Sequence, residues 1–211
     1  MNIENQQRNP VLLIHGIDDT RAVFQKMAVH LVLQGWSVHS LDLVPNNGDV
    51  GLDELAKQVA DYVTATFAPE QSLDLVGFSM GGIVSRYYVQ RLGGINRVQR
   101  FITISSPHNG TVVAYGSRRP GCVQMRPDSI FLKDLNSDAV MLGQLDFTSI
   151  WTPYDLMIVP ANSSQMSVGS EVIVPVPLHP WMLTDPRSLA VVKAALAEDI
   201  KLPLLKKASS Q

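Results

Sequence analysis

The sequence predicts an α/β protein: one domain over all 211 residues, with a mostly parallel sheet of about six strands flanked by helices. Two observations lead to this prediction. Short, uninterrupted apolar runs recur along the chain, which is typical of strands buried on both faces of a parallel sheet. Between them lie segments whose apolar residues repeat at helical spacing. Because strands and helices alternate, we expect a doubly wound sheet with right-handed crossovers.

The strands are predicted from apolar runs that turn residues delimit. Residues 11–14 form the clearest run, which Pro10 and Gly16 bound. Residues 73–77 form a short run that leads directly into a glycine-rich turn. The six predicted strands are 11–14, 37–41, 73–77, 101–104, 147–151 and 171–176.

The helices are predicted from their apolar stripes and from residues typical of helix ends. Residues 18–20 offer an N-cap to the first helix, and Gly35 ends it. Gly93 ends the third helix. Asp185 and Pro186 supply a cap and a first-turn proline for the last helix. The stripes lie at 23–31, 52–63, 83–92 and 186–196, with weaker helical stretches near 129–135 and 139–142.

Composition excludes several function classes. A net charge of −2 gives no general attraction to nucleic acid, and the basic residues lack interleaved aromatic residues, so no nucleic-acid partner is expected. The single cysteine, Cys122, excludes an internal disulfide and suits a reducing compartment. With no signal peptide and no membrane-spanning run, we expect a cytoplasmic protein, with transient contact at a membrane surface left open.

Both ends of the chain, 1–9 and 206–211, are expected to be flexible. The basic and apolar segment 201–207 could touch anionic lipid, but a solvated helix end explains it as well and is the favoured interpretation. The sequence does not indicate an oligomeric state.

The strongest chemical signal is a G-x-S-x-G pattern formed by Gly77, Ser79 and Gly81. It lies between a predicted strand and a predicted helix, where a sharp turn presents a nucleophilic serine. The flanking glycines leave room for the strained backbone of that serine. Ser79 is therefore the predicted nucleophile, and an ordinary glycine-rich turn after a strand is the alternative.

A serine hydroxyl needs a base, and the base needs an orienting acid. In folds built around this pattern, the chain order is nucleophile, acid, histidine. Only His108 and His179 follow Ser79, and no acidic residue lies between Ser79 and His108. His179, after the sixth predicted strand, is therefore the predicted base, with a surface loop histidine as the alternative.

The acid must lie between Ser79 and His179. Only Asp155 closely follows a convincing strand, 147–151, whereas Asp146 precedes that strand and would lie at the opposite edge of the sheet. Asp155 is the predicted acid, with a turn or capping role as the alternative. The acidic residues in this interval are Asp128, Asp134, Asp138, Asp146, Asp155 and Glu171.

An oxyanion that forms on attack needs preorganised N–H donors. Met80 follows the nucleophile and lies at a helix N-terminus, where negative charge is favoured. The second donor is expected in the loop after the first strand, at Ile17, which follows His15 and Gly16. His15 is interpreted as orienting this loop, with a plain buried polar residue as the alternative.

These residues resemble the small bacterial triacylglycerol lipases of the α/β-hydrolase superfamily, a compact class with little or no lid. The resemblance covers the first half of the chain strongly and the last third through order and spacing only. It implies that Ile17 and Met80 hold the oxyanion, that Ser79, Asp155 and His179 form a triad, and that the substrate is a lipid ester. The motifs are VLLIHGI at 11–17, LDLVGFSMGG at 73–82 and SSPHNGT at 105–111.

The segment 111–145 is longer than in the most compact members of that family, and the sequence leaves open whether it is a short lid or a surface insertion. Most of its apolar residues are expected to pack inside the protein, and a few to form the rim of a pocket. These residues are Val112, Val113, Tyr115, Ile130, Phe131 and Leu132.

The expected function is hydrolysis of carboxylic esters, most directly acyl-glycerol or other lipid esters, through an acyl-enzyme and without a metal or organic cofactor. One alternative is a carboxylesterase or thioesterase that acts on soluble acyl compounds. Another is a catalytically silent binding protein on the same fold. Acyl-chain length and head group cannot be read from the sequence.

Overall fold

The computed structural model describes residues 8–198. They form a six-stranded sheet in which all neighbouring strands are parallel, in the order β2-β1-β3-β4-β5-β6. The predicted fold class is thus confirmed. The strands are β1 (Val11–Ile14), β2 (Val38–Leu41), β3 (Leu73–Phe78), β4 (Val98–Ile104), β5 (Asp146–Trp151) and β6 (Ser170–Ile173).

Helices cover both faces of the sheet, and β1 shows why the central strands are uninterrupted apolar runs. Successive side chains of a strand point to opposite faces. Leu12 and Ile14 belong to the apolar core that contains α2 and α3, while Val11 and Leu13 belong to the core that contains α1 and α6. The helices are α1 (Gln25–Leu33), α2 (Leu52–Thr66), α3 (Met80–Arg91), α4 (Pro120–Gln124), α5 (Ile130–Ser137) and α6 (Pro186–Ala197).

The order of the strands places a switch point at the carboxyl ends of β1 and β3. β2 lies on one side of β1 and β3 lies on the other, so the loops that follow β1 and β3 leave the sheet in opposite directions. Ligands of open α/β sheets bind at such a switch point, outside the carboxyl ends of the strands. Gly16 lies in the loop after β1 and Ser79 follows β3, so both predicted parts of the site lie at this switch point.

The structure departs from the predicted elements mainly in the second half of the chain. The strand expected at 171–176 is β6, which ends at Ile173. The helix α4 was not predicted, because five residues are too few to show a helical apolar period. The weak stretch at 139–142 is a 3-10 helix, Ala139–Gln144.

A polar network holds α5 against α3. Arg86 on α3 is fully buried, and its guanidinium donates to the Leu135 carbonyl and to Asn136 Oδ1, both at 2.9 Å. Gln90 Nε2 also donates to the Leu135 carbonyl, at 2.8 Å. Burial lowers the pKa of Arg86 to about 10, so the side chain is still a cation at neutral pH. These bonds dock the middle of segment 111–145 onto the body of the protein.

The expectation that most apolar residues of this segment pack inside is wrong. Leu132 is buried, and Phe131 is half-buried and stacks on Tyr87 with ring centroids 5.5 Å apart. The other four are exposed, because the 3-10 helix Val112–Gly116 buries only Ala114 and Ile130 begins α5 on its outer side. The exposed residues are Val112, Val113, Tyr115 and Ile130.

The ends that were expected to be flexible lie outside the described residues, except for Arg8 and Asn9, and so does the segment 201–207. The Arg8 guanidinium lies 4.1 Å from the centroid of the Trp36 ring. Asn9 Nδ2 donates to Asp74 Oδ1 at 3.0 Å. Between residues 8 and 198, no helix combines the length and the apolar character needed to cross a membrane.

Candidate active site

Ser79 occupies the sharp turn between β3 and α3. Its φ is 54° and its ψ is −124°, a conformation that residues other than glycine rarely adopt and that is costly for them. The Ser79 N–H donates to the Ile104 carbonyl at 2.8 Å, and the Ser79 carbonyl accepts from the Gly82 N–H at 3.1 Å. Ser79 is 8% exposed. The turn therefore holds the serine at the carboxyl edge of the sheet, with a small part of its surface open.

Close backbone packing explains the glycines around Ser79. A Cβ on Gly81 would overlap the carbonyl oxygens of Ile14 and His15. A Cβ on Gly77 would lie 2.5 Å from the Cα of Gly82. Both approaches are too short for any side chain. The glycines thus allow the start of α3 to press against the end of β1.

The loop that follows β1 lies directly beside the nucleophile turn. The position that a Cβ on Gly16 would occupy is 3.1 Å from Ser79 Cβ. Ile17 comes next in the chain and is half-buried. The two predicted oxyanion donors, the N–H groups of Ile17 and Met80, therefore belong to segments that both adjoin Ser79, and their role stays a prediction.

His15 is fully buried and bonds at both ring nitrogens. The Leu43 N–H donates to Nε2 at 2.9 Å, so Nδ1 carries the hydrogen and donates to the Gly16 carbonyl at 2.8 Å. These two bonds tie the loop after β1 to the chain that follows β2. The orienting role of His15 stays a prediction.

Asp155 and His179 form a buried pair at the same edge of the sheet. Asp155 lies in the loop after β5, and His179 begins the 3-10 helix His179–Leu183 after β6. His179 Nδ1 lies 2.7 Å from Asp155 Oδ2. Because a carboxylate can only accept, Nδ1 carries the hydrogen of the neutral ring, and Nε2 is left with a lone pair. This is the tautomer that a general base for a hydroxyl needs.

The other oxygen of Asp155 is held by the backbone. The N–H groups of Met157 and Ile158 both donate to Oδ1 at 2.9 Å. Burial alone would raise the pKa of the Asp155 carboxyl. The hydrogen bond and charge of His179 and the two backbone N–H groups outweigh burial, so that the pKa lies below its ordinary value. Asp155 is therefore ionised at neutral pH.

The imidazole of His179 packs against the residue before the nucleophile. Its centroid lies 4.7 Å from that of the Phe78 ring, with the planes tilted by 37°. The structure thus brings Asp155 into direct contact with His179, and His179 against the turn that carries Ser79.

His108, the other histidine that follows Ser79 in the chain, has a different environment. It is fully buried, its Nε2 lies 2.9 Å from Thr103 Oγ1, and its Nδ1 lies 3.5 Å from an Arg86 nitrogen. Burial, and then the charge of Arg86, hold the pKa of His108 well below its ordinary value. His108 is thus a neutral member of the network that docks α5.

The remaining acids between Ser79 and His179 lie away from the pair. Asp146 begins β5 and therefore lies at the opposite edge of the sheet. The other four face cations or hydrogen-bond donors elsewhere. Asp128 pairs with Lys133, Asp134 and Asp138 pair with Arg91, and Glu171 accepts from Trp151.

Asp19 lies near the nucleophile turn, although its place in the sequence predicts only part of a helix cap. The cap is Thr20, which accepts from the Ala22 N–H. Asp19 is half-buried, and its Oδ2 lies 3.0 Å from the position of a Cβ on Gly16. Burial raises the pKa of Asp19, and the charge of His179 is among the groups that partly oppose this. The signal available in the sequence was its place in the loop directly after β1.

A metal site does not emerge from the part of the chain that the structure describes. In residues 8–198, no three His, Cys, Asp or Glu side chains come together so that they could hold a metal ion. Cys122 is buried in α4 as a free thiol.

A protein-family model described as palmitoyl protein thioesterase matches residues 10–138. The matched residues are more than half of the 211 residues of the chain. They include β1, the Ser79 turn and the motif at 105–111, and they end before Asp155 and His179. The resemblance to lipases is therefore supported at the level of the superfamily, while the matching family carries a thioesterase name.

Solved structures share the fold at low sequence identity. The mature form of a Bacillus licheniformis lipase has a TM-score of 0.75 at 14% identity, over 91% of this chain and 93% of that one. Lipase B of Aspergillus fumigatus has a TM-score of 0.76 at 19% identity, over 92% of this chain and 53% of that one. An extracellular α/β-hydrolase of a Paenibacillus species has a TM-score of 0.65 at 18% identity, over 90% of this chain and 100% of that one. These likenesses show the α/β-hydrolase fold.

Proposed function

Since this chain belongs to the palmitoyl protein thioesterase family, we propose that it is a serine hydrolase of acyl esters or thioesters. Ser79 is the nucleophile, His179 the general base and Asp155 the acid that orients the base. The family places the chain among ester and thioester hydrolases of the α/β-hydrolase type. The triad itself is our assignment.

One observation carries the proposal: the 2.7 Å hydrogen bond between His179 Nδ1 and Asp155 Oδ2 beside the Ser79 turn. A surface histidine has no need of a buried carboxylate whose second oxygen is held by two backbone N–H groups. This pairing aligns the imidazole and stabilises the imidazolium that forms when Nε2 takes a proton.

The chemistry follows from these roles. Ser79 Oγ attacks the acyl carbonyl carbon while its proton passes to His179 Nε2. The tetrahedral intermediate collapses when Nε2 gives that proton to the leaving alcohol or thiol, and an acyl-enzyme remains. A water molecule then gives a proton to Nε2 and attacks the acyl carbon. Ser79 leaves with that proton, and the carboxylic acid is released.

The negative charge on the carbonyl oxygen is held by the N–H groups of Ile17 and Met80 in this proposal. Met80 is the first residue of α3, where the helix dipole favours an anion. Ile17 follows Gly16, which lies against Ser79. Two fixed donors stabilise the transition state without reorganisation. Loss of one such donor typically lowers kcat about 10²- to 10³-fold.

Exposed apolar side chains flank the acid and the base, and they support a substrate with an apolar acyl chain. Soluble proteins rarely leave large apolar groups clustered at a surface without a use. A lipid ester, most directly an acyl glycerol, is the substrate that we propose. The family match favours a second candidate, a long-chain acyl thioester. The flanking residues are Tyr154, Leu156, Met157, Leu178 and Trp181.

Labelling with a fluorophosphonate tests the nucleophile. We expect one phosphonate per chain on the peptide that contains Ser79, and none in Ser79→Ala. Turnover of a nitrophenyl ester should fall by roughly 10⁴-fold or more in Ser79→Ala. Ser137→Ala, which changes an exposed serine on α5, should label and turn over like the native protein. Labelling elsewhere, or no labelling of a folded protein, would favour a catalytically silent binding protein.

A substrate panel tests the substrate class. Short and long nitrophenyl esters, acyl glycerols in micelles and long-chain acyl thioesters are compared by kcat/KM. A lipid esterase prefers long chains and the oxygen ester, whereas a thioesterase prefers the thioester at equal chain length. A preference for short, soluble esters would contradict the role proposed for the exposed apolar side chains.

A further inference from the structure

The motif at 105–111 ends in a threonine to which the reaction assigns no part. We propose that Thr111 is a positioning residue for the acid–base pair: its hydroxyl holds the peptide unit that holds Asp155. This inference rests on the proposed function, because it presumes that Asp155 orients His179. Thr111 does not take part in the reaction itself.

The Thr111 hydroxyl is buried and bonded to the acid loop. Thr111 is 5% exposed, and its Oγ1 donates to the Met157 carbonyl at 2.8 Å. The same oxygen accepts from the Val159 N–H at 3.0 Å. One hydroxyl thus bridges two backbone groups of the loop that carries Asp155.

The Met157 carbonyl and the Ile158 N–H belong to one peptide unit, which is rigid and planar with its C=O and N–H pointing in opposite directions. Thr111 holds the oxygen of this unit, and the N–H on its other side donates to Asp155 Oδ1 at 2.9 Å. Fixing the Met157 carbonyl oxygen therefore also fixes the direction of the Ile158 N–H. A carbonyl that accepts a hydrogen bond also makes its own N–H a stronger donor.

The effect reaches the imidazole through the carboxylate. Oδ1 of Asp155 is held by Met157 and Ile158, and Oδ2 bonds to His179 Nδ1. If the peptide unit tilts, the carboxylate rotates and its contact with the imidazole is misaligned. The same backbone bonds help to keep the pKa of Asp155 low, so they also favour its ionised form.

Other contacts hold the two loops together without the hydroxyl. The Val112 N–H donates to the Val159 carbonyl at 2.9 Å, and the Asn109 N–H donates to the Ser163 carbonyl at 3.0 Å. Asn109 Nδ2 donates to the Gln165 carbonyl at 2.9 Å. These bonds survive when the hydroxyl is removed. We therefore expect the variant to fold, with a changed orientation of the Asp155 carboxylate.

The test compares Thr111→Val, which keeps the shape and removes the hydroxyl, with Thr111→Ser, which keeps the hydroxyl. In Thr111→Val we expect kcat for a nitrophenyl ester to fall about 10- to 100-fold, as for other small misplacements of catalytic groups. KM should stay within about twofold of the native value, because Thr111 does not touch substrate. In Thr111→Ser, kcat should recover to within about threefold.

The control is Thr148→Val, the same change at another buried threonine, on β5. It should leave kcat unchanged. The low-field proton NMR signal of His179 Nδ1–H gives a second readout, which should shift or broaden in Thr111→Val and keep its native position in Thr111→Ser. If Thr111→Val does not fold, Thr111→Ala is compared with Thr111→Ser in the same way.

Native kcat and an unchanged NMR signal in a folded Thr111→Val would overturn the inference. So would a loss in Thr111→Ser as large as that in Thr111→Val, or a loss confined to KM. The native protein separates the two proposals: if it neither labels at Ser79 nor turns over the ester, the proposed function fails. If it does both and Thr111→Val behaves like it, only the role of Thr111 fails.

Discussion

The two sides of the site are built in different ways. On the nucleophile side, Ser79 and Gly16 are placed by backbone segments that touch directly, with glycines where a side chain would overlap. On the acid–base side, Asp155 and His179 lie in irregular loops and are placed by hydrogen bonds to side chains and backbone. Close glycine packing distinguishes the first side, and a buried polar pair distinguishes the second.

The two sides therefore respond differently to substitution. Packed backbone accepts an added carbon only if a neighbouring segment shifts, because protein interiors are dense. Hydrogen-bonded loops tolerate changes of size, but the side chains that they carry lose their orientation when a single donor or acceptor is removed.

Asp155→Asn tests the polar side. The amide oxygen of asparagine can still accept from Met157 and Ile158, but its NH₂ then faces His179 Nδ1 and selects the tautomer with hydrogen on Nε2. That tautomer cannot take a proton from Ser79, so kcat should fall about 10⁴-fold with little loss of stability. Ester turnover and the melting temperature give the measurement. Asp134→Asn, at an exposed acid that pairs with Arg91, is the control, and a loss below tenfold in Asp155→Asn would refute the role of the acid.

Gly81→Ala tests the packed side. The added Cβ overlaps the carbonyl oxygens of Ile14 and His15, so the end of β1 must shift away from Ser79. We expect a loss of about 1–3 kcal/mol in the free energy of unfolding, typical of overpacking. We also expect kcat to fall about 10²- to 10³-fold, because the oxyanion donors move. Chemical denaturation and ester turnover measure the two effects.

The control for that change is Gly143→Ala, since a Cβ on Gly143 meets no atom within 4 Å. It should change neither stability nor turnover by a measurable amount. Equal behaviour of the two glycine variants would show that backbone packing does not place the nucleophile.

Arg86→Met tests whether the network that docks α5 contributes to the site. The change leaves Asn136 Oδ1 without its charged donor and removes one of two donors to the Leu135 carbonyl. We expect a loss of about 1–3 kcal/mol in the free energy of unfolding and turnover within about twofold of native. Arg91→Met, which removes pairs with the more exposed Asp134 and Asp138, should cost about 1 kcal/mol or less. A large loss of turnover in Arg86→Met would mean that α5 belongs to the site.

Much of the packed side could be predicted from the sequence, because its signals are local. The apolar run of β1 and the pattern around Ser79 each lie within a few consecutive residues, and their place in the sheet follows from the alternation of elements. Chain order and the preceding strands predict Asp155 and His179. The structure pairs these two residues by a hydrogen bond.

The rest depended on contacts between distant residues that carry no local pattern. Arg86 lies in a regular helix and gives no sign that it is buried against Leu135, which is 49 positions away. Thr111 meets Met157 across 46 positions. Asp19 lay within a stretch that also fits a helix cap. The end of β6 at Ile173 is set by where the neighbouring strand stops, since Ile173 pairs with Trp151, the last residue of β5.

A crystal structure of the fluorophosphonate adduct tests the geometry of the whole site at once. We expect phosphorus on Ser79 Oγ, one phosphonyl oxygen within hydrogen-bond distance of the Ile17 and Met80 N–H groups, and His179 Nε2 beside Ser79 Oγ with Nδ1 still on Asp155. An adduct whose oxygen faces solvent, or an imidazole beyond contact distance of Ser79 Oγ, would contradict the assignment of the triad.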